Sequence, residues 1–311
     1  MPAKSEILKE ILLGSEEAQP DPDFVRRKYL AEVSRLSGRD TILYATGWTS
    51  PKFNGLIPSN FFSLVTEDIQ GFMAALHGLT GSKLDLIVHS PGGSLEAADQ
   101  VVQYLRAKYD NIRAIVPHNA MSAACMLCCA CDEIIMGKQS AIGPIDPQLS
   151  WPSPQGTPVS AAAQSLLDEL KEAREVVGSN PHLAPIWATR LQQFPPGIFA
   201  TCRTTMELAE SKVREWLENY MFRSDPASHK PAEISAWLAA APTHKTHGRP
   251  IGFDLCLEKG LKVTRLESSQ EFQDAVLSVF HAASITFEST GFVKMIESHL
   301  GRGHYVSVSA S

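Results

Sequence analysis

The sequence lacks several features that would assign it at once to a class of protein. No stretch approaches the roughly 18 consecutive apolar residues of a membrane-spanning helix. The 28 Lys and Arg residues are scattered and outnumbered by 34 Asp and Glu residues, which gives a formal net charge of −6. No basic cluster is therefore present to bind a phosphate backbone. We predict a protein with no transmembrane segment and no nucleic-acid partner.

Cysteine is scarce outside one segment. Four of the six cysteines lie within residues 125–131, too close together for a spread disulfide framework, as is typical of a reducing compartment. Their spacing resembles a metal-binding box, but Cys125, Cys128 and Cys129 share one face of a predicted helix, Cys131 points elsewhere, and no second cluster supplies further ligands. We predict packed thiols, no metal, no cofactor and a cytoplasmic protein, with peripheral membrane association left open.

The sequence does contain an alternation of short apolar strands with helices. The segments LDLIVHS, IRAIVP and EIIMG predict strands, and SLEAADQVVQYLRAK and SAACMLCCACD predict the helices between them. Nearly wholly apolar strands separated by helices indicate a parallel sheet that is covered on both faces. We therefore predict an α/β fold, in which function gathers at the carboxyl ends of the strands.

Two turns at such strand ends carry the candidate chemistry. The segment SPGGS places Gly92 and Gly93 after one strand, and AMSA places Ser122 between the next strand and its helix. Acyl transfer needs an exposed nucleophile and backbone N–H groups that face the developing oxyanion. Ser122, the N–H of Ala123 and one glycine N–H would supply them. Taken singly, the glycine pair is explained as a tight turn and the serine as a favoured N-cap. Their occurrence at the ends of two neighbouring strands favours a catalytic role instead.

The same segments resemble a known protease family. HSPGGSLEAADQVVQYL resembles the glycine turn of the Clp protease proteolytic subunit, and AMSAACMLCCACDEIIMGKQSAIGPIDPQ is similar to the nucleophile segment of the serine dehydrogenase proteinase family. The resemblance covers roughly residues 24–263 and is densest over 84–148. It implies a ClpP/crotonase-like spiral of βαβ units with extra N- and C-terminal helices, a serine peptidase activity on peptide or protein substrates, and a homo-oligomer.

The resemblance also implies a division of the chain. Residues 1–23 form an N-terminal polar extension with one short helix and a loose connector, and residues 24–265 form the ClpP-like serine protease domain, whose first helix begins at Phe24. Within this domain the Pro- and Ser-rich residues 150–158 predict a loop. Residues 266–311 predict a C-terminal helical tail outside a complete core, which packs either on another subunit or within the chain.

The general base departs from the pattern of the family. Where the Clp subunit carries its histidine, this chain has GPIDPQ with Asp146, and where the Clp subunit carries its acid, this chain has HKTHGRPIGFD with His244 and His247. One hypothesis is that the two residue types exchange places. His247 would then activate Ser122, and Asp146 would orient the imidazole.

Other bases remain open. Relatives of signal peptide peptidase A use a Ser–Lys dyad, but the corresponding loop, SPQGTPVSAAAQ, has no lysine. Lys138 lies on the MGKQS connector and Lys171 lies far along the following helix. His89 precedes the glycine turn and is a further candidate.

We predict a serine peptidase that acts through an acyl-enzyme on Ser122. Two alternatives remain open. One is a ClpP-fold oligomeric scaffold with weak or no catalysis. The other is a crotonase-like enzyme that binds an acyl-coenzyme A and uses the paired N–H groups for a thioester enolate.

Overall fold

The computed structural model describes residues 1–13, 21–153 and 156–308. The α-helices in this part of the chain are α1 (Lys4–Leu13), α2 (Pro22–Ser37), α3 (Asp68–Leu76), α4 (Leu95–Arg106), α5 (Ala123–Cys129), α6 (Ala163–Ser179), α7 (Ala184–Leu191), α8 (Ile198–Trp216), α9 (Lys230–Ala239), α10 (Ala241–His244), α11 (Phe253–Lys259) and α12 (Gln270–Ser289). The strands are β1 (Asp40–Thr46), β2 (Lys83–His89), β3 (Asn111–Val116), β4 (Asn119–Ala120), β5 (Glu133–Met136), β6 (Ala141–Ile142), β7 (Gln148–Pro152), β8 (Pro158–Ala162), β9 (Ile251–Gly252), β10 (Val263–Arg265), β11 (Phe292–Ser298) and β12 (Gly303–Ser307). Among these described helices, none combines the length and the apolar character needed to cross a membrane.

A seven-stranded sheet forms the centre of the fold, in the order β10, β5, β3, β2, β1, β11, β12. The five strands from β10 to β1 are parallel, whereas β11 and β12 each run antiparallel to the preceding neighbour. Parallel neighbours need crossover connections, which α3, α4 and α5 provide. This mixed, largely parallel architecture confirms the predicted α/β class.

Successive side chains of the central strands enter two different cores. Leu86 and Val88 pack with residues of α3, α4 and α5, whereas Ile87 packs with residues of α2 and α12. Full burial of one such aliphatic side chain contributes about 1.5–3 kcal/mol. Because both faces of the sheet are buried here, the central strands carry runs of consecutive apolar residues, such as Leu86, Ile87 and Val88 of β2.

A second, three-stranded sheet adjoins the end of β2. Strand β4 pairs in parallel with β6, which pairs antiparallel with β9. An isolated bridge from Ser90 to Ala120 joins this sheet to the segment after β2. Strand β9 is antiparallel to β4 and β6. The carboxyl ends of β4 and β6 therefore lie beside the amino end of β9. The residues just after 120 and 142, and those just before 251, therefore gather there.

The C-terminal segment differs from its prediction. The helix α12 is present, but it is followed by β11, which pairs with β1 along residues Ile42–Thr46. The expected helical tail outside a complete core was therefore wrong beyond the helix. The strand was missed because it carries Lys294 and Glu297, whose charges are buried but paired with Asp68 and Arg26.

The N-terminal extension contains the expected short helix. Ile7 and Ile11 of α1 pack against residues of α2 and α12. The expected connector falls on residues 14–20, which lie outside the described part of the chain. Helix α2 begins before Phe24 because Asp21 caps its first N–H groups and proline occupies the first helical position. The boundaries drawn between extension, protease domain and tail stay predictions.

The Pro- and Ser-rich stretch 150–158 is strand at both ends, because residues 150–152 belong to β7 and Pro158 begins β8, and the predicted loop is limited to the connection between them. Strands β7 and β8 pair antiparallel across it, and the hydroxyls of Ser150 and Ser160 lie 2.6 Å apart. Residues 154 and 155 at its tip lie outside the described ranges. Beside this hairpin, α6 and α8 share a small apolar cluster built around Leu166 and Cys202.

Candidate active site

Ser122 lies in a strained turn between β4 and α5. Its φ of 50° and ψ of −123° define a conformation that side-chain-bearing residues rarely adopt and that costs about 1–3 kcal/mol. Among the described non-glycine residues, only Ser122 and Lys245 have a positive φ. Such strain at a strand-to-helix turn is typical of a nucleophile elbow, which exposes the serine side chain.

The hydroxyl of Ser122 does not cap the helix that follows it. Its Oγ makes no capping hydrogen bond to α5, and the side chain is half-buried rather than enclosed. The ordinary role of a serine at this position, an N-cap, therefore does not account for the residue.

Gly92 contacts the serine turn so closely that no side chain fits. A Cβ atom at Gly92 would lie 2.6 Å from the carbonyl oxygen of Met121, 2.7 Å from the Cβ of Ser122 and 2.8 Å from the nitrogen of Ala123. The φ of Gly92 is also positive, at 100°. Glycine is required here on both grounds. The structure thus brings together the two turns that the sequence placed at neighbouring strand ends.

Two backbone N–H groups beside Ser122 are free to donate. The N–H of Gly92 is used, because it donates to the Oγ of Ser90 at 3.1 Å. The carbonyl of Gly92 is also used, because it accepts from the N–H of Leu64 at 2.7 Å. These two bonds hold the glycine turn in place. Within the described ranges, the N–H groups of Gly93 and Ala123 have no acceptor. These two groups match the donors of an oxyanion hole.

A buried polar network supports the glycine turn. The ammonium of Lys294 donates to both carboxylate oxygens of Asp68 at 2.8 Å, and the hydroxyl of Tyr44 donates to Asp68 at 3.3 Å. Lys294 also donates to the carbonyl of Ser63 at 2.7 Å, and the N–H of the next residue, Leu64, donates to the carbonyl of Gly92. Sequence reasoning missed this network, and no local signal could have found it, because Lys294 comes from β11.

Asp146 and His247 form a hydrogen-bonded pair. The Nδ1 of His247 lies 2.9 Å from one carboxylate oxygen of Asp146, and Gln148 donates to the other oxygen at 3.0 Å. Asp146 is 4% exposed, whereas the side chain of His247 is 29% exposed. This arrangement fixes the imidazole and leaves its Nε2 without a partner among the described residues. The geometry is that of a carboxylate that orients a base.

Ser122 and this pair belong to the same edge of the small sheet. Ser122 follows β4 and Asp146 follows β6, whereas His247 precedes β9, so all three leave the sheet on one side. The backbones of β4 and β9 are two strand spacings apart, roughly 10 Å. No hydrogen bond joins Ser122 to His247 in the described structure. A cavity of about 230 Å³ is lined by the pair and by Lys245 but not by Ser122.

His89 is not arranged as a base for Ser122. Burial, together with the neighbouring ring of His118, lowers the pKa of His89 to about 3, so its imidazole is neutral. Its Nδ1 accepts from the backbone N–H of Asn119 at 3.4 Å, and its Nε2 lies 3.2 Å from the hydroxyl of Thr49. Both ring nitrogens are therefore occupied by other partners.

The remaining base candidates also have other surroundings. His244 is buried, with its Nε2 2.7 Å from the carbonyl oxygen of Trp237. Lys171 is 76% exposed and lies 3.9 Å from Glu175 one turn along α6, and Lys138 is exposed in the turn after β5. Of the histidines and lysines considered from the sequence, His247 alone has a carboxylate partner at the edge that bears Ser122.

The cysteine segment follows Ser122 in the chain and is packed into the core. All six cysteines are free and buried, and burial raises the pKa of the Cys128 thiol well above its ordinary value. Helix α5 ends at Cys129, so Cys131 follows the helix rather than lying on it. In the part of the chain that the structure describes, no group of three or more His, Cys, Asp or Glu residues is placed to hold a metal ion.

Part of the chain is similar to known proteins. Residues 55–175 match the family described as ClpP-like SDH-type serine proteinase. Two uncharacterized proteins of Methanocaldococcus jannaschii are similar over part of the chain. MJ0137 is 35% identical over 131 residues, which cover 42% of this chain and 45% of the relative. MJ1495 is 32% identical over 126 residues, which cover 40% of this chain and 42% of the relative.

The family match covers most but not all of the site. The segment 55–175 contains the glycine turn, Ser122 and Asp146, whereas His247 lies beyond it. The matches to the two relatives span less than half of the length of each of them. Together with the largely parallel sheet, the family match confirms the resemblance that the sequence analysis inferred: residues 55–175, less than half of the chain, are similar to ClpP-like SDH-type serine proteinases.

Proposed function

We propose that this protein is a serine peptidase that cleaves peptide bonds through an acyl-enzyme on Ser122. The observation that carries the proposal is the junction of the two turns. The strained turn of Ser122, whose hydroxyl does not cap the helix, packs against Gly92, and the N–H groups of the next residues in each turn, Gly93 and Ala123, have no acceptor among the described residues. The family match supports peptidase chemistry of this kind.

The proposed reaction has two steps. The Oγ of Ser122 attacks the carbonyl carbon of the scissile peptide while its proton moves to the Nε2 of His247. The N–H groups of Gly93 and Ala123 donate to the oxyanion, and loss of one such donor costs about 3 kcal/mol in barrier. The C–N bond then breaks and Nε2–H protonates the leaving amine. His247 then deprotonates a water that attacks the ester carbonyl, the C–Oγ bond breaks, His247 returns the proton to Oγ, and the acid is released.

Asp146 would serve this cycle as an orienting group. Its hydrogen bond to Nδ1 selects the tautomer in which Nε2 is unprotonated and stabilises the imidazolium that forms in each step. Closing the remaining distance between His247 and Ser122 requires movement of the segment before β9. Catalytic hydrogen bonds are often long in free enzymes and shorten when substrate is bound.

The wider setting follows from the family. ClpP-like proteinases suggest peptide or protein substrates and a homo-oligomer, and we propose both for this chain. The six free thiols suit a reducing compartment such as the cytoplasm. No group in the proposed cycle requires a cofactor.

Labelling with a fluorophosphonate tests the function. The purified full chain is incubated with the reagent, digested and mapped by mass spectrometry. Because fluorophosphonates report an activated serine, we expect a single label per chain on the peptide that contains Ser122. Absence of any label would favour the scaffold alternative, and a label on another serine would refute the assignment of the nucleophile.

A further inference from the structure

A cavity of about 600 Å³ lies beside the glycine turn. It is lined by residues of the loop 48–63, which follows β1, and by Pro91. Its volume is in the middle of the range for sites that bind small organic groups. None of its lining residues is shared with the cavity beside His247. The two cavities are therefore separate spaces.

The residues that line this cavity carry no charge. No Asp, Glu, Lys, Arg or His is among its described lining residues. Its largest side chains are aromatic or aliphatic: Trp48, Phe53, Ile57 and Phe62. The loop 48–63 contains one charged residue, Lys52, and its ammonium donates to the carbonyl of Thr290. Because the lining offers no opposite charge, a charged group would be desolvated here without compensation. The cavity therefore suits a large uncharged apolar group.

The walls of the cavity are fixed by contacts with the rest of the fold. Phe53 and Phe62 are buried, with ring centroids 5.7 Å apart, and belong to the core on the α2 and α12 side of the sheet. The carbonyl of Ser63 accepts from the buried Lys294. A ligand would not have to order these walls, which reduces the entropic cost of binding. Trp48 and Ile57 are half-buried, so part of each side chain remains accessible.

The cavity is close to the proposed oxyanion hole. Its lining residue Ser63 precedes Leu64, whose N–H donates to the carbonyl of Gly92. Its lining residue Pro91 is two residues from Gly93, and two residues of chain span at most about 7 Å. An extended peptide advances about 3.3 Å per residue. A side chain within about three residues of a scissile bond at Ser122 can therefore reach the cavity.

We propose that this cavity is a specificity pocket for a large apolar side chain of the substrate, within about three residues of the scissile bond. The proposal rests on the proposed peptidase function and adds a substrate preference to it. The substrate side chain packs on the accessible parts of Trp48 and Ile57. Removing one methylene from such a contact changes discrimination by about 10-fold or more. Lysine or glutamate at the same substrate position is rejected because its charge finds no partner in the lining.

A set of labelled peptides tests the preference. Each is an alanine-based peptide with fluorescein at one end, in which one position at a time is Phe, Lys or Glu. Fluorescence anisotropy measures their binding to the full-length Ser122→Ala chain, which cannot form the acyl-enzyme. At one position at least, the Phe peptide is expected to bind about tenfold or more tightly than its Lys and Glu counterparts. Absence of such a position would overturn the pocket.

Turnover of the same peptides by the unaltered chain separates this proposal from the peptidase function. Hydrolysis that favours the same Phe peptide would support both. Hydrolysis without any preference among Phe, Lys and Glu would refute the pocket and leave the peptidase function standing. Selective binding of the Phe peptide without hydrolysis would support the apolar pocket and refute the peptidase function.

Three variants assign the preference to this cavity. Ile57→Ala is expected to weaken binding of the Phe peptide by about tenfold, because it removes part of the apolar wall. Leu56→Ala is the matched control, since Leu56 is 75% exposed and lies outside the lining, and should stay within about twofold of the parent. Asn54→Asp keeps the volume of a lining residue but adds a charge, so the preference for Phe over Lys should fall about fivefold. Equal effects of Ile57→Ala and Leu56→Ala, or an unchanged preference in Asn54→Asp, would place the pocket elsewhere and overturn the proposal.

Discussion

The Ser122→Ala variant is expected to lose peptide hydrolysis by about 10³-fold or more while the chain stays folded. Removing Oγ deletes the group that forms the acyl-enzyme, and residual turnover would come from binding and the N–H donors alone. Steady-state hydrolysis of a fluorogenic peptide gives the rate, and circular dichroism checks the fold. The hydroxyl makes no capping bond, so its loss should cost little stability.

Two further variants sharpen this prediction. Ser122→Gly should be as inactive as Ser122→Ala but more stable by about 1 kcal/mol, because glycine relieves the strain of the positive φ by more than it adds unfolded-state entropy. Chemical denaturation measures the difference. Ser211→Ala, at an exposed helix position, is the neutral control. Full activity in Ser122→Ala would end the assignment of the nucleophile.

The His247→Ala variant is expected to lower kcat on the order of 10³-fold, with a smaller change in KM. Without the imidazole no group accepts the proton of Ser122, although the oxyanion donors remain. Imidazole added to the solution should restore part of the rate, a response that a purely structural role of His247 would not give. Steady-state kinetics with and without imidazole measure both effects.

Asp146→Asn separates the orienting role from that of the base. The amide keeps the volume of the carboxylate but no longer selects the tautomer with a free Nε2, and a loss on the order of 10²–10⁴-fold is expected. His182→Ala, at an exposed histidine outside the proposed site, should behave as the unaltered chain. Unchanged kcat in both His247→Ala and Asp146→Asn would show that another group is the base.

The features of this protein that were predictable from sequence are local or periodic. The apolar strands and intervening helices between residues 84 and 136 revealed the α/β class, because burial on both faces leaves a continuous apolar pattern. The junction of the Gly92 and Ser122 turns followed from the rule that parallel strands end at one edge. The resemblance to a ClpP-like proteinase rested on the same segments.

Features that depend on distant partners were not predictable. Strand β11 was mistaken for part of a helical tail because Lys294 and Glu297 are unusual in a buried strand until Asp68 and Arg26 are known to face them. The hairpin over 150–158 was missed because proline and serine favour loops. The pairing of Asp146 with His247 was hypothesised from the family resemblance, whereas the pairing of β6 with β9 that brings the two residues together is not determined by local pattern.

The most direct test of the central claim is a crystal structure of the fluorophosphonate adduct. The account predicts phosphorus bonded to the Oγ of Ser122 and one phosphoryl oxygen about 3 Å from the nitrogens of both Gly93 and Ala123. A phosphoryl oxygen that points away from these two nitrogens, or an adduct on any other residue, would contradict it.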